Sequence, residues 1–181
     1  MLEIANVSKD FGGLRALHQI SLRLQENQIF GLIGPNGAGK TTLFNLVTGL
    51  LPVSGGSIRF RGRELTRSRS HEIARLGIAR TFQNIRLFPT MTVLENVLVA
   101  QNIRTRSGVI SLFPVDGRGE RGLREQAEAL LQRMGLSDKR HEASTSLAYG
   151  EQRRLEIARA LALEPSLLLL DEPAAGMNQS E

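Results

Sequence analysis

Short alternating stretches open the chain: Leu2, Ile4 and Val7 recur among polar residues, and Ile20, Leu22 and Leu24 repeat the pattern after a Gly12-Gly13 turn signal. Side chains two apart share one face of a strand, so residues 1–24 predict antiparallel strands. Gly55-Gly56-Ser57-Ile58-Arg59-Phe60, ended by Gly62, predicts another piece of the same kind. Between them, Gln28-Ile29-Phe30-Gly31-Leu32-Ile33 reads as a short buried strand. Leu43, Phe44, Leu46, Val47 and Leu50 then suit the inward face of a helix.

Farther along, residues 70–76 predict a helix with Gly77 as its stop, and residues 78–82 a strand delivering Gln83. Thr92 and Glu95 form a capping-box pattern, and Val93, Leu94, Val97 and Leu98 give the next helix its apolar face. Residues 107–122 are rich in Gly, Arg and Pro and read as a long flexible connection. Leu123, Ala127, Leu130, Leu131 and Met134 keep helical spacing up to Gly135. A last helix runs from about Gly150 to Leu163, ended by Glu164-Pro165. Four aliphatic residues, Leu167-Leu168-Leu169-Leu170, then read as a strand apolar on both faces, which belongs in the middle of a parallel sheet. No internal repeat is visible.

Composition narrows the class. A chain of 181 residues with 41% hydrophobic content can bury one sizeable core, with room for a small subdomain. With no cysteine there are no disulfides and no thiolate metal sites, which fits a reducing compartment. The net charge of +5 invites a nucleic-acid reading, but the arginines are spread out and only seven Phe and one Tyr could stack on bases. Nucleotide, phosphate or an acidic membrane surface accounts for the charge as well, and no nucleic-acid partner is expected. No run approaches the roughly 18 apolar residues of a membrane span, and Glu3, Lys9 and Asp10 stand where a signal peptide would be apolar. The expectation is a soluble chain whose membrane role is peripheral.

The chemistry begins at Gly34-Pro35-Asn36-Gly37-Ala38-Gly39-Lys40-Thr41, which fits G-x-x-x-x-G-K-[ST]. The glycines let the backbone curl so that successive N–H groups point at phosphate oxygens. Lys40 would reach the β- and γ-phosphates, Thr41 would place its hydroxyl on Mg²⁺, and the helix carrying Thr42 would present its positive end to the same anion. The plainer alternative is a Gly-rich turn that happens to carry a lysine. The predicted strand before the loop and helix after it are the setting the phosphate-binding reading requires.

The second constellation is Asp171-Glu172 at the end of the leucine strand. Ligands of parallel sheets bind at the carboxyl ends of the strands. Asp171 would hold Mg²⁺, directly or through water, and Glu172 would orient and deprotonate the attacking water. A solvated acidic turn is the alternative. The third is Leu147-Ala148-Tyr149-Gly150-Glu151, a small turn opening an amphipathic helix, whose N-terminus is an anion site or simply a capped surface helix.

The order of these motifs, with Thr81-Phe82-Gln83 between the first and the third, resembles the ATP-binding subunits of ABC transporters over essentially the whole chain. The wording of Phe11-Gly12-Gly13-Leu14, Arg80-Thr81-Phe82-Gln83-Asn84-Ile85-Arg86-Leu87-Phe88, Leu147-Ala148-Tyr149-Gly150 and Asp171-Glu172-Pro173-Ala174-Ala175-Gly176 is most similar to the branched-chain amino acid importers.

That resemblance implies an α/β fold: a P-loop NTPase (RecA-like) core with a small antiparallel β subdomain, and an α-helical subdomain carrying the signature motif. Residues 1–91 and 151–181 would form the first, and 92–150 the second. It implies that Phe11 stacks on adenine, or else fills the core at a strand end, and that Gln83 senses Mg²⁺ and the attacking water. Residues 85–89 would form part of a groove for a helix of the membrane permease, or else a loop tucked against the core. Two such subunits, as a homo- or heterodimer, would sandwich two ATP molecules, each touching Lys40 of one chain and the signature residues 147–151 of the other. An external substrate-binding protein would be an indirect partner, and the site of action the cytoplasmic face of the inner membrane.

Three departures qualify the resemblance. Ala148 and Tyr149 stand where the general signature has Ser and Gly, a variant similar to that of the importer subfamily. Asn178 replaces a common aspartate, which bears on the usual cross-interface polar contact. Family members also continue into a strand bearing a γ-phosphate-contacting histidine, whereas His18, His71 and His141 all precede Asp171. Weak stability and poor hydrolysis are therefore expected of this chain alone. The competing readings are a nucleotide-binding module without turnover, the ATPase of another system such as lipopolysaccharide export, and a soluble ABC protein of translation or DNA repair.

Overall fold

Two strands joined by a tight Gly12-Gly13 turn open the structure: β1 (Leu2–Phe11) pairs antiparallel with β2 (Leu14–Leu24), with Leu2 opposite Leu24 and Phe11 opposite Leu14. The computed structural model describes residues 1–105 and 117–173. The rest of the first compact unit, Met1–Leu76, is α1 (Lys40–Val47), β3 (Gly55–Phe60), β4 (Arg63–Glu64) and α2 (Ser70–Arg75). β3 lies antiparallel on the other side of β1, giving a sheet ordered β2-β1-β3-β4. Leu2 with Ile4 and Ile58 with Phe60 are buried two apart, as alternation along paired strands dictates, and Val7, three on from Ile4, is buried because the register shifts between them. The strands predicted over 1–24 and 55–60 and the helix predicted over 70–76 are therefore borne out.

Residues 28–33 are not a strand. They hold no regular secondary structure, and Ile29 and Ile33 are 101% and 94% exposed, with Phe30 at 51%. The run has strand length and strand composition, but among the described residues no neighbouring strand pairs with it. A lone strand leaves its N–H and C=O groups to water and buries neither face, so composition alone does not make one. Leu50, expected on the inward face of α1, lies beyond the helix and is exposed; Leu43, Leu46 and Val47 are buried as expected.

The second unit, Gly77–Glu181, contains β5 (Ile78–Arg80), α3 (Val93–Thr105), α4 (Gly117–Arg133), α5 (Tyr149–Leu161) and β6 (Leu167–Leu169). β5 and β6 pair in parallel, Ile78 with Leu167 through Arg80 with Leu169, and Thr81 N–H extends the ladder to the Leu169 carbonyl at 3.0 Å. The leucine strand was expected in the middle of a sheet. Among the described residues it has one neighbour, and Leu170 is exposed.

Val93, Leu94, Val97 and Ala100 of α3, Ala127 and Leu131 of α4, and Leu155, Ala158 and Ala162 at α5 share one core with Leu136 and Leu147. The Thr92–Glu95 box is present in full: Thr92 N–H donates to Glu95 at 2.7 Å, and Glu95 N–H to Thr92 Oγ1 at 3.2 Å. The connection expected over 107–122 needs correction at its end, since α4 already begins at Gly117; residues 107–116 of it lie outside the described residues. Arg121–Glu125 and Arg124–Glu128 pairs at 3.1 and 3.4 Å, one turn apart, support a helix where the composition suggested a loop.

Candidate functional site

The phosphate-loop residues sit in the first unit. Gly39, the residue before α1, has φ 87, a backbone conformation that side-chain-bearing residues rarely adopt. Glycine is also required for space: a Cβ there would lie 2.6 Å from a Leu17 methyl and 3.0 Å from the Ala16 carbonyl of β2. The loop is thus seated against β2, and its residues Pro35, Asn36, Gly37 and Ala38 face solvent.

No side chain caps α1, and its first turn holds no acid, so its first amides keep their positive field for an external anion. Lys40 Nζ donates to the carbonyls of Gly34 and Pro35 at 2.7 and 2.9 Å. Those bonds hold the ammonium over the loop. Thr41 is exposed and Thr42 half-buried. This combination fits a polyphosphate: bare amides, a cation and a hydroxyl, with no carboxylate competing.

Phe11 ends β1 with its ring 43% exposed and Lys9 Nζ 4.9 Å from the ring centroid. Phe11 is thus not one of the buried core residues. An exposed aromatic face is what stacking on a base needs.

The second unit gathers the remaining residues. Gln83 Nε2 lies 3.3 Å from Glu172 Oε2, so two side chains 89 positions apart meet at the ends of β5 and β6. Glu172 has φ 48, an uncommon left-handed conformation for such a residue. Its neighbour Asp171 is buried, and Arg80 Nη2 reaches Asp171 Oδ2 at 2.9 Å. One carboxylate is thereby buried and paired, while the next is exposed beside an amide. That division suits one acid for a cation and another for water.

Among the described residues no group of three acidic or histidine side chains could hold a metal by itself. A hydroxyl and a carboxylate are donors of the kind Mg²⁺ takes together with nucleotide phosphates and water, and Thr41 in the first unit and Asp171 in the second are each of that kind.

At α5, Ala148 and Tyr149 are exposed and Gly150 is buried. Glu151 serves the fold: its carboxylate accepts the Ala148 N–H at 3.0 Å and both its oxygens lie within 2.8 Å of Lys139 Nζ. Those hydrogen bonds, Lys139's first, hold Glu151 below the usual carboxylate range. Residues 85–89 are pinned from one side. Asn96 and Ser144 bind the Phe88 backbone at 2.9 to 3.1 Å, and Arg159 lies 4.8 Å over the Phe88 ring while donating to the Arg86 carbonyl. The Phe88 ring is 40% exposed. Asn178 and Ala174-Ala175-Gly176 lie outside the described residues.

Three arginines escaped the sequence reading: Arg80, Arg153 and Arg159. Arg153 and Tyr149 are four apart on α5, and Arg153 and Glu156 three apart, spacings that place such pairs in contact.

The profile of the ABC transporter family matches residues 17–175. The high-affinity branched-chain amino acid transport ATP-binding protein LivG of Salmonella typhimurium is 46% identical over all of this chain, which spans 72% of that relative. BraF of Pseudomonas aeruginosa, described in the same terms, is likewise 46% identical over all of this chain and 72% of its own length. Among solved structures, an ATP-binding cassette of an ABC transporter in its ADP conformation matches with TM-score 0.82 and 34% identity, covering 98% of this chain and 70% of that one. A dimeric cassette in a post-hydrolysis state bound to ADP and Pi matches with TM-score 0.83 and 28% identity, covering 99% and 77%. The chain belongs to the ABC transporter family, as one of its ATPase cassettes.

Proposed function

We propose that this chain is the ATP-hydrolysing subunit of an importer for branched-chain or other hydrophobic amino acids. The meeting of Gln83 with Glu172 beside the buried Asp171 carries the reading, because it joins an amide, a water-activating carboxylate and a metal-binding carboxylate at one sheet end. The choice of substrate class rests on the LivG and BraF likeness.

Phe11 would bind adenine, the 34–42 segment the phosphates, and Thr41 and Asp171 Mg²⁺, which supplies charge neutralisation of the phosphates when bound. Glu172 accepts a proton from water, and Gln83 orients that water. Residues 147–151 would meet the nucleotide of a second subunit, as the dimeric cassettes among the structural relatives suggest. Residues 85–89 would face a permease helix. No helix of the described residues is long and apolar enough to cross a membrane; the place at the cytoplasmic face of the membrane rests on the likeness to importer ATP-binding proteins.

The test is reconstitution with the permease and its external binding protein. Turnover stimulated by leucine, isoleucine or valine is expected. Stimulation by an unrelated cargo would redirect the substrate assignment, and ATP binding without any turnover would favour a nucleotide-binding module.

A further inference from the structure

Arg153, on the first turns of α5, is 2% exposed and surrounded by acceptors from three places in the chain. Its Nη1 donates to the Phe82 carbonyl at 2.5 Å and to Glu156 at 3.1 Å. Its Nη2 donates to the Gln83 carbonyl and to Tyr149 Oη, the latter at 3.0 Å. Glu156 in turn accepts the Phe82 N–H at 3.3 Å. Phe82, the residue before Gln83, is therefore held by α5 at both its N–H and its carbonyl, and Gln83 at its carbonyl.

Burying a guanidinium is costly unless its donors are met, and here the pairing with Glu156 and two carbonyls meets most of them. The planar fork matters: a lysine ammonium, a point donor, cannot span two carbonyls, a phenol and a carboxylate in one plane. The same fork that touches Tyr149 touches Gln83, whose side chain touches Glu172.

We infer that Arg153 is a positioning residue that couples the Tyr149–Gly150 turn to Gln83, so that engagement of the turn sets the placement of Gln83 against Glu172. This rests on the proposed function for what the turn engages, namely a nucleotide held by a second subunit. The contact uses Tyr149, where the general signature of the family has glycine, so the coupling belongs to chains that carry both residues.

The experiment compares wild type, Arg153→Lys, Tyr149→Phe and the double variant of the full chain, with Glu172→Gln as control. Arg153→Lys keeps the charge and loses the fork. It is expected to lower kcat by roughly 10- to 100-fold, the effect of about an ångström of misplacement, with KM for ATP unchanged. Tyr149→Phe lowers kcat less, and the two effects are not additive. Thermal unfolding of both variants is measured alongside to exclude loss of fold.

A second readout needs no turnover. The chain has one tyrosine, so fluorotyrosine labelling gives a single fluorine resonance. Gln83→Ala shifts that resonance when Arg153 is present and leaves it in place in Arg153→Lys. Glu172-dependent turnover with wild-type kcat in Arg153→Lys overturns the coupling. So does a resonance in the otherwise wild-type chain that ignores Gln83→Ala. Turnover insensitive to Glu172→Gln overturns the functional reading instead.

Discussion

Arg80 and Asp171 form an ion pair of 2.9 Å whose side chains are only 4% and 7% exposed. The arginine ends β5, the aspartate follows β6, and parallel pairing of the two strands is what makes them neighbours. Arg80 also lies 4.9 Å over the Phe82 ring. Asp171 is thus held in place by a buried partner from the neighbouring strand.

Breaking that pair from one side leaves a buried charge alone. Arg80→Met or Asp171→Leu is expected to destabilise the chain by about 3–5 kcal/mol, while the double variant recovers much of the loss because neither charge remains. Urea denaturation of the three variants measures this. Equal losses in single and double variants would mean that the pair does not act as a unit.

Gly39→Ala forces a left-handed residue into contact with Leu17 and the Ala16 carbonyl. A cost of about 1–3 kcal/mol is expected, together with weaker nucleotide binding as the loop moves off β2. Gly37 also has positive φ, but its Cβ would meet nothing within 4 Å, so Gly37→Asn carries the backbone strain without the clash and is expected to cost less.

Lys40→Ala removes the cation of the phosphate loop. Binding of a fluorescent ATP analogue is expected to fall steeply, with thermal stability retained. Retained binding would return the loop to a plain turn.

Two helix starts should make the chain acid-sensitive. Glu95 is held below its ordinary value of 4.5 by the Thr92 amide and then its hydroxyl. Glu151 is held below the same value by Lys139 first and by the Ala148 amide. The unfolded chain takes up these protons at the ordinary value and the folded chain only at lower pH. The stabilisation is therefore complete above that value and is lost as pH falls from it through the depressed values. Denaturation midpoints across the acid range check the slope, and Glu95→Gln with Glu151→Gln should flatten it.

What could be read in advance was local. Alternation fixed β1, β2 and β3 because each pairs with a sequence neighbour or across one layer, and the Thr92–Glu95 box is four residues long. The phosphate loop, Gln83, Glu172 and Tyr149 were legible as motifs whose residue types carry their chemistry. Residues 28–33 were misread because a strand is a relation between two segments, and only one of them lies in the local pattern. The start of α4 was misread because Gly117 and Gly122 outweighed the Arg-Glu spacing that holds the helix. Arg80 and Arg153 were invisible for a different reason. Their partners, Asp171 and the Phe82-Gln83 carbonyls, are 91 and about 70 positions away, and nothing in a lone arginine announces burial.

The central claim is that Glu172, placed by β6 and touched by Gln83, drives ATP hydrolysis by this chain. Steady-state phosphate release with Mg-ATP, wild type against Glu172→Gln, tests it most directly. The account predicts turnover in the wild type that disappears in Glu172→Gln while ATP binding persists. Turnover unchanged by that substitution would contradict it.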